Sequence, residues 1–246
     1  MAKKWYESTV IKIEDHNETT KSFFVKVNQN EVLHFKAGQF VTMDLPISDM
    51  RTKRWRSYSI ANHSDGSNVL EFCIVKLDGG AGTEYIFNEI EVGSTLKFKD
   101  PAGMFYLPEA ETRDIVFICT GTGVAPFRSM LWDLYLNKKQ HGKLHLIFGT
   151  RHSEGILYQK EFEGMMDKFQ DFKYSVALSR EENLPKGKAE IKQGYLHQFY
   201  LEHYKEVRED VVFYICGWSN MIDEAVEKLI LEMGYDKRQV RYELYG

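Results

Sequence analysis

Four short segments carry residue types suited to gripping phosphates and flat aromatic rings. In "RWRSYSIAN" (54–62), Arg56, Tyr58 and Ser59 sit in a run with strand character. Side chains alternate along a strand, so Arg56 and Tyr58 share one face and Ser59 points the other way. An arginine can pair with a phosphate through two parallel hydrogen bonds. A tyrosine ring can lie on a flat aromatic ligand, and a serine hydroxyl can reach a ring nitrogen. Taken alone, the segment also reads as a strand with a solvated arginine face. In "VKLDGGAGTEYIF" (75–87), Val75 and Lys76 lead into Gly79, Gly80 and Gly82, with Thr83 at an expected helix start. Backbone amides and a hydroxyl at a helix N-terminus make an anion cradle. The plainer reading is a loose hairpin turn.

In "CTGTGVAPFRSM" (119–130), an apolar run ends at Thr120 and Gly121, and Thr122 and Gly123 precede an amphipathic helix. Glycines let backbone approach a phosphate closely, and a helix N-terminus attracts negative charge. Pro126 sits where a first helical turn tolerates proline. The pattern is G-x-G without a third glycine, so a simple strand-to-helix turn fits it as well. Two separate phosphate cradles favour a dinucleotide in each of two domains. In "YICGWSNMIDEAV" (214–226), Cys216 and Gly217 end another apolar strand, at the same sheet edge as Gly121 and Gly123. Most lone buried cysteines are small hydrophobes, but a place at the mouth of a sheet favours ligand contact.

The elements that must position these residues fall into two rhythms. Up to residue 108, "KSFFVKV" (21–27), "QFVTMDL" (39–45), "RSYSIA" (56–61), "LEFCIVKL" (70–77) and "STLKFKD" (94–100) read as short strands. Turn residues separate them, including a cluster at 28–30, and "TEYIFNEI" (83–90) reads as a short helix between two strands. This spacing predicts an antiparallel barrel or sandwich. After "LPEAETRD" (107–114), strands at 114–119, 143–149, 172–178, 211–217 and 239–244 alternate with helices near 158–168, 195–204 and 219–232. Five alternating strands predict a parallel sheet covered on both faces. Ligands of such sheets bind at the carboxyl ends of the strands. The expected division is 1–108 and 109–246.

Composition narrows the function. The chain has 246 residues, long enough for two modest domains, and its 43% hydrophobic and 28% charged residues exclude disorder. Its 32 basic and 36 acidic residues are spread evenly over both halves, so no half is built for nucleic acid. No apolar run is long enough to span a membrane. The start "MAKKWYESTV" turns polar before a secretory leader could form. Cys73, Cys119 and Cys216 lie too far apart for zinc-ribbon or iron–sulfur spacing. Reduced cytoplasmic thiols are the expectation, with no metal site.

Six motifs in one order, covering essentially the whole chain, resemble the ferredoxin–NADP reductase family, which includes oxygenase reductase components and cytochrome b5 reductases. "RSYS" (56–59) is similar to its R-x-[YF]-[ST] flavin strand, "GGAGT" (79–83) to its pyrophosphate loop and "PAGMF" (101–105) to its P-x-G-x-F segment. "GTGVAP" (121–126) is similar to the nicotinamide-nucleotide loop, "CG" (216–217) to the cysteine near the nicotinamide, and "ELY" (243–245) to the terminal E-x-aromatic signature. The resemblance implies a flavin-binding antiparallel β-barrel followed by a five-stranded parallel α/β domain for the nicotinamide nucleotide.

It also implies roles. Arg56 contacts the flavin pyrophosphate, Tyr58 stacks on the isoalloxazine, and Ser59 lies near flavin N5. Val75, Lys76, Gly80, Gly82 and Thr83 border or hold the pyrophosphate. Thr120, Gly121, Thr122, Gly123, Pro126, Cys216 and Gly217 serve the nicotinamide nucleotide. Glu243 sits near the flavin edge, and Tyr245 covers the other flavin face and moves for the nicotinamide. Two departures are that Gly246 follows Tyr245 and that "CGWSNM" brings Trp218 where C-G-P-x-x-M is frequent.

The cofactor implied is FAD, since the 79–83 loop suits a pyrophosphate better than FMN would need. The coenzyme is NADPH or NADH. "LSREENLPKGK" (178–188) is similar to the loop where NADP-dependent relatives hold the 2′-phosphate, through Ser179, Arg180 and Lys188, yet Glu181 and Glu182 would repel a phosphate. Arg51, Lys53, Arg54 and Arg56 form a basic patch in an acidic protein, suited to steering an acidic ferredoxin, flavodoxin or oxygenase component, and equally readable as a solubilising charge run with one phosphate-binding arginine. The expected activity is electron transfer from NAD(P)H through FAD to a one-electron protein acceptor. Two other readings stay open: reduction of free flavin or a quinone, and a flavin-binding sensor or regulatory subunit without turnover.

Overall fold

The computed structural model describes residues 4–29 and 32–245. Asn30, at the end of the turn cluster expected at 28–30, and Gly246 lie outside the described residues. The chain divides into two compact units. One takes the chain up to Tyr106 together with Ala125–Asp133, and the other takes Leu107–Val124 and the chain from Leu134 onward.

The first unit contains β1 (Trp5–Asn17), β2 (Thr20–Val27), β3 (Phe40–Asp44), a one-turn helix α1 (Arg51–Arg54), β4 (Trp55–Ser59), β5 (Val69–Val75), α2 (Ala81–Glu89) and β6 (Thr95–Lys99). The strands form an antiparallel sheet in the order β4-β3-β6-β1-β2-β5. Its outer strands β4 and β5 meet just past Ser59. Ala61 N–H donates to the Glu71 carbonyl at 2.8 Å. The Asn62 amide then imitates a strand residue: Nδ2 donates to the Val69 carbonyl and Oδ1 accepts from Glu71 N–H, both at 2.8 Å. These bonds satisfy backbone groups that the two edges would otherwise expose. Val10, Phe23, Val25, Val41, Phe72 and Phe98 fill the interior.

One strand of this unit is not legible from composition. β1 carries Glu7, Lys12, Glu14 and Asp15, and only Tyr6, Ser8 and Val10 are buried along it. It is a strand because it has partners on both sides, β6 over Trp5 to Thr9 and β2 over Ser8 to Asn17.

The second unit holds β7 (Asp114–Thr120), which runs through a 3-10 turn (Gly121–Val124) into α3 (Ala125–Leu136), most of which belongs to the first unit. It continues with β8 (Leu144–Thr150), α4 (Gln159–Lys168), β9 (Phe172–Leu178), β10 (Glu190–Gln193), α5 (His197–His203), β11 (Val211–Trp218), α6 (Ser219–Val226) with a π-helical extension (Glu227–Glu232), and β12 (Val240–Tyr245). All neighbouring strands are parallel, in the order β10-β9-β8-β7-β11-β12. The sheet therefore has six strands rather than the expected five. The extra one, β10, is a four-residue edge strand, "EIKQ", paired only to β9 and half-exposed, so it has no apolar run to betray it. Central β7 is buried from Ile115 to Cys119 without alternation, as a sheet covered on both faces requires. Val116, Ile118, Phe213 and Ile215 pack with Phe199, Ile222 and Leu229. Phe162 of α4 meets Tyr174 at 5.5 Å.

Candidate active site

In the barrel unit, the structure brings the first two segments together. β4 pairs with β3 so that Arg56 stands opposite Met43, Tyr58 opposite Val41 and Ser59 opposite Phe40. Tyr58 packs against the barrel core, and burial pushes its hydroxyl up to about 12 against the lowering influence of Arg56. Ser59 is buried at 5% exposure. The Arg56 guanidinium donates from Nη1 to the carbonyls of Lys53 (2.9 Å) and Trp55 (2.8 Å), holding it across the end of α1.

The start of α2 abuts that arginine. A Cβ at Gly82 would stand 2.9 Å from Arg56 Cγ and 3.1 Å from Nε, so only glycine allows this approach. First-turn N–H groups have no partner inside a helix. With Arg56 beside them they form a donor set for a polyanion. The Thr83 hydroxyl is otherwise engaged: it accepts from Leu77 N–H at 3.0 Å and donates to the Gly80 carbonyl at 3.0 Å. Its side chain locks the loop, and its backbone amide is what it can offer a ligand. Val75 ends β5, and Lys76 follows with its N–H already given to the Thr19 carbonyl at 2.7 Å.

In the second unit, the third and fourth segments meet at the carboxyl ends of β7 and β11. Gly121 opens the turn after Thr120, and Gly123 packs directly on the backbone of Cys216. The Trp218 N–H points to Thr120 Oγ1 at 3.5 Å, and Gly217 lies tight against the same hydroxyl. Pro126 is the second residue of α3. Cys216 is fully buried. Burial first, then Glu243 and Cys119, push its thiol well up, against a lowering hydrogen bond with Tyr245. It stays a neutral thiol, unsuited to nucleophilic chemistry but small enough to sit behind a flat ring. β12 places Glu243 opposite Cys216 and Tyr245 opposite Trp218. Trp218 is 44% exposed.

The loop after β9 gathers more. Ser179 N–H donates to the Thr150 carbonyl at 3.0 Å and Arg180 N–H to the Arg151 carbonyl at 2.9 Å. Glu181 is fixed by Ser153, whose N–H and hydroxyl both donate to it at 2.9 Å, and these bonds hold its carboxyl below the usual range. Lys188 stands apart from Ser179 and Arg180 in its bonding: it pairs with Asp167 at 2.7 Å. The basic run is also partly spent, since Arg54 pairs with Asp44 at 2.8 Å, while Arg51 and Lys53 stay exposed.

Sequence reasoning did not reach two residues that hold this loop: Arg151, whose carbonyl accepts from Arg180 N–H, and Ser153, which anchors Glu181; both follow the carboxyl end of β8. Position at that edge of the sheet was the available signal. Among the described residues, no group of three or more His, Cys, Asp or Glu could hold a metal ion. Among the same residues, no helix is long and apolar enough to cross a membrane.

Comparison with known proteins agrees with this geometry. Residues 7–106 match the oxidoreductase FAD-binding domain, and residues 117–227 match the oxidoreductase NAD-binding domain. The chain is 32% identical over 212 residues to ferredoxin–NADP reductase B of Sorangium cellulosum, covering 86% of this chain and 85% of that protein. The chain belongs to the ferredoxin–NADP reductase family. Another relative in this family is the electron transfer component of anthranilate 1,2-dioxygenase from Acinetobacter baylyi, 32% identical over 89% of this chain. The chain spans 61% of that protein's length. A ferredoxin NADP+ reductase from Neisseria gonorrhoeae with bound FAD and NADP shares the fold, with a TM-score of 0.81, 22% identity and 98% coverage of both chains. The family's two nucleotides suit the donor sets described here. The Arg56 cradle, which a Cβ at Gly82 would fill, fits the pyrophosphate of FAD, and the glycine turn at β7 fits a nicotinamide nucleotide.

Proposed function

We propose that this chain is an NAD(P)H-dependent flavoprotein reductase that passes electrons through FAD to a one-electron protein acceptor such as a ferredoxin, a flavodoxin or an oxygenase component. The observation that carries the reading is the presence, in one chain, of two separate anion cradles: Arg56 beside the start of α2, and the glycine turn after β7 packed on Cys216. FAD, when bound, takes two electrons as a hydride and releases them singly, which bridges a nicotinamide and a one-electron acceptor.

The chain's own residues bind, orient and shield. Arg56 and the backbone of residues 80–83 hold the pyrophosphate, bordered by Val75 and Lys76. Tyr58 supports the flavin ring, and Ser59 offers a hydroxyl near N5. Thr120, residues 121–123 and Pro126 receive the nicotinamide nucleotide. Cys216 and Gly217 supply a small surface for the nicotinamide, so that hydride transfer can occur over the required 3–3.5 Å or so. Tyr245 shields the flavin and yields its place to the nicotinamide, with Glu243 at the flavin edge. Ser179 and Arg180 receive the adenosine end. The flavin domain is 1–108 and the nucleotide domain 109–246.

Arg51 and Lys53, exposed on α1, are the docking charges for an acidic acceptor. Sorangium ferredoxin–NADP reductase B and the Acinetobacter electron transfer component support an acceptor of that kind. Cys73, Cys119 and Cys216 are buried thiols outside any disulfide, which supports a reducing, cytoplasmic setting.

Anaerobic stopped-flow reduction of the FAD-loaded protein with NADPH and NADH, taken separately, tests the reading and settles the coenzyme. Rapid bleaching of the flavin by one nucleotide is the expected result. A flavin that neither nucleotide reduces overturns it. With a ferredoxin as acceptor, turnover should fall steeply with added salt. Salt-independent turnover, with free flavin or quinone serving as well, would replace the protein acceptor with a small molecule.

A further inference from the structure

A buried ion pair lies beside the flavin strand and takes no part in the roles above. Arg128 sits near the start of α3, four residues beyond Val124, where the glycine turn ends. Its Nη1 donates to Glu71 Oε2 at 2.6 Å and to the Ala61 carbonyl at 2.9 Å. Next to it, Ser129 donates its hydroxyl to the Asn62 carbonyl at 2.6 Å. Ala61 and Asn62 stand two and three residues past Ser59. The side chains are deeply enclosed, Glu71 at 3% exposure and Arg128 at 15%.

Glu71 is committed on both oxygens. Oε1 accepts from the Ser22 hydroxyl at 2.8 Å, and Ser22 Oγ lies 2.8 Å from His16 Nε2. A hydroxyl has one proton, and Ser22 gives it to Glu71, so His16 Nε2 must be the donor in the second bond. The backbone of Glu71 also carries the closure of the barrel, through Ala61 and Asn62. The network thus ties α3 to the segment that holds Tyr58 and Ser59, and to two further strands, β1 and β2.

A buried ion pair is a weak source of stability, because desolvation offsets most of the attraction, and apolar residues of similar size often serve as well. In some proteins such a pair instead specifies one geometry. Hydride transfer depends on geometry steeply, since a misplacement near 1 Å costs about a hundredfold. We propose that Arg128 and Glu71 are positioning residues for hydride transfer: they fix the helix that the glycine turn opens into against the strand end that carries Ser59. The proposal rests on the reductase reading.

The test uses the full chain loaded with FAD. Arg128→Met combined with Glu71→Leu removes both charges together and so avoids stranding one of them. Arg128→Lys keeps the charge and loses the planar fork. In stopped-flow reduction, the saturating rate of flavin reduction by NAD(P)H should fall about tenfold or more in the double variant. It should fall less in Arg128→Lys, with FAD content and the nucleotide concentration for half-maximal rate unchanged in both. Reduction of the same flavin by dithionite, which needs no aligned nicotinamide, should keep its wild-type rate. An unchanged saturating rate overturns the proposal. So does loss of FAD or slowed dithionite reduction in step with the hydride rate, in both variants, since the pair would then only hold the barrel together. Failure of the reductase reading shows separately, as a wild-type flavin that no nicotinamide nucleotide reduces.

Discussion

Gly123 packs on Cys216 so closely that a Cβ on the glycine would lie 2.7 Å from the cysteine's carbonyl carbon and nearer still to its oxygen. Both partners are backbone, and β11 is paired on each side, so neither can retreat. Gly123→Ala therefore forces the turn away from the sheet. Overpacking of this kind costs about 1–3 kcal/mol. The expected result is retained FAD with coenzyme binding weakened about tenfold or more, read by titration of the oxidised protein. Gly82→Ala should act on FAD instead, because its Cβ meets the Arg56 side chain and pushes it off the pyrophosphate, so FAD affinity falls while coenzyme binding stays near wild type. Equal effects from the two substitutions would contradict this distinction.

The fully buried thiol of Cys216 is held protonated by its surroundings, so it can act only as a small neutral surface. Cys216→Ser keeps the size but puts a stronger hydrogen-bonding group in the same enclosed place. FAD content should be unchanged, while single-turnover flavin reduction slows about tenfold. Unchanged single-turnover reduction would remove Cys216 from the reaction. Alkylating reagents should also modify it slowly at pH 8 in the folded protein.

The proposed coenzyme site at Ser179 and Arg180 makes Glu181 a test of coenzyme choice. Ser153 anchors it through two hydrogen bonds, which keep its carboxyl ionised through the neutral range. A 2′-phosphate arriving at Arg180 meets that fixed charge next door. Glu181→Gln removes the repulsion, and kcat/KM for NADPH should rise about threefold to tenfold, the scale of one screened surface charge. The value for NADH should stay within a factor of two or so of wild type. A parallel rise for both coenzymes would show that Glu181 acts on the loop and not on the phosphate.

What the sequence showed and hid follows from locality. Residues 56–59, 79–83 and 121–126 are each a short local run, so their pattern survives in the linear text. The two-unit architecture was legible because strand runs such as 114–119 and 143–149 are mostly apolar. β1 and β10 were hidden because pairing, not composition, makes them strands. The Arg128–Glu71 pair joins positions 57 residues apart, and Thr83 turned its hydroxyl to Leu77 and Gly80 in a way that depends on the folded loop. Contacts of that kind are written only in three dimensions.

His145 gives the second unit a pH dependence. It is buried at 3% exposure, with Nε2 2.8 Å from Ser175 Oγ and Nδ1 2.9 Å from the Tyr204 hydroxyl. Burial, helped by Lys173 and His203 and opposed by Glu190, pulls its pKa from 6.5 down to about 3. Between those values the unfolded chain binds a proton that the folded protein refuses. Stability from this residue is therefore full above pH 6.5 and is lost as pH falls toward 3, at up to about 1.4 kcal/mol per pH unit. Glu190 is held at about 2, where burial raises it but Lys173 and Lys192 outweigh burial, so its own loss falls below pH 4.5 and does not overlap measurements made above pH 5. His145→Gln should lower Tm at pH 7.5, since it disturbs two buried hydrogen bonds, yet flatten the decline of Tm between pH 7.5 and 5. Identical slopes for wild type and variant would show that His145 takes up its proton without cost in the folded state.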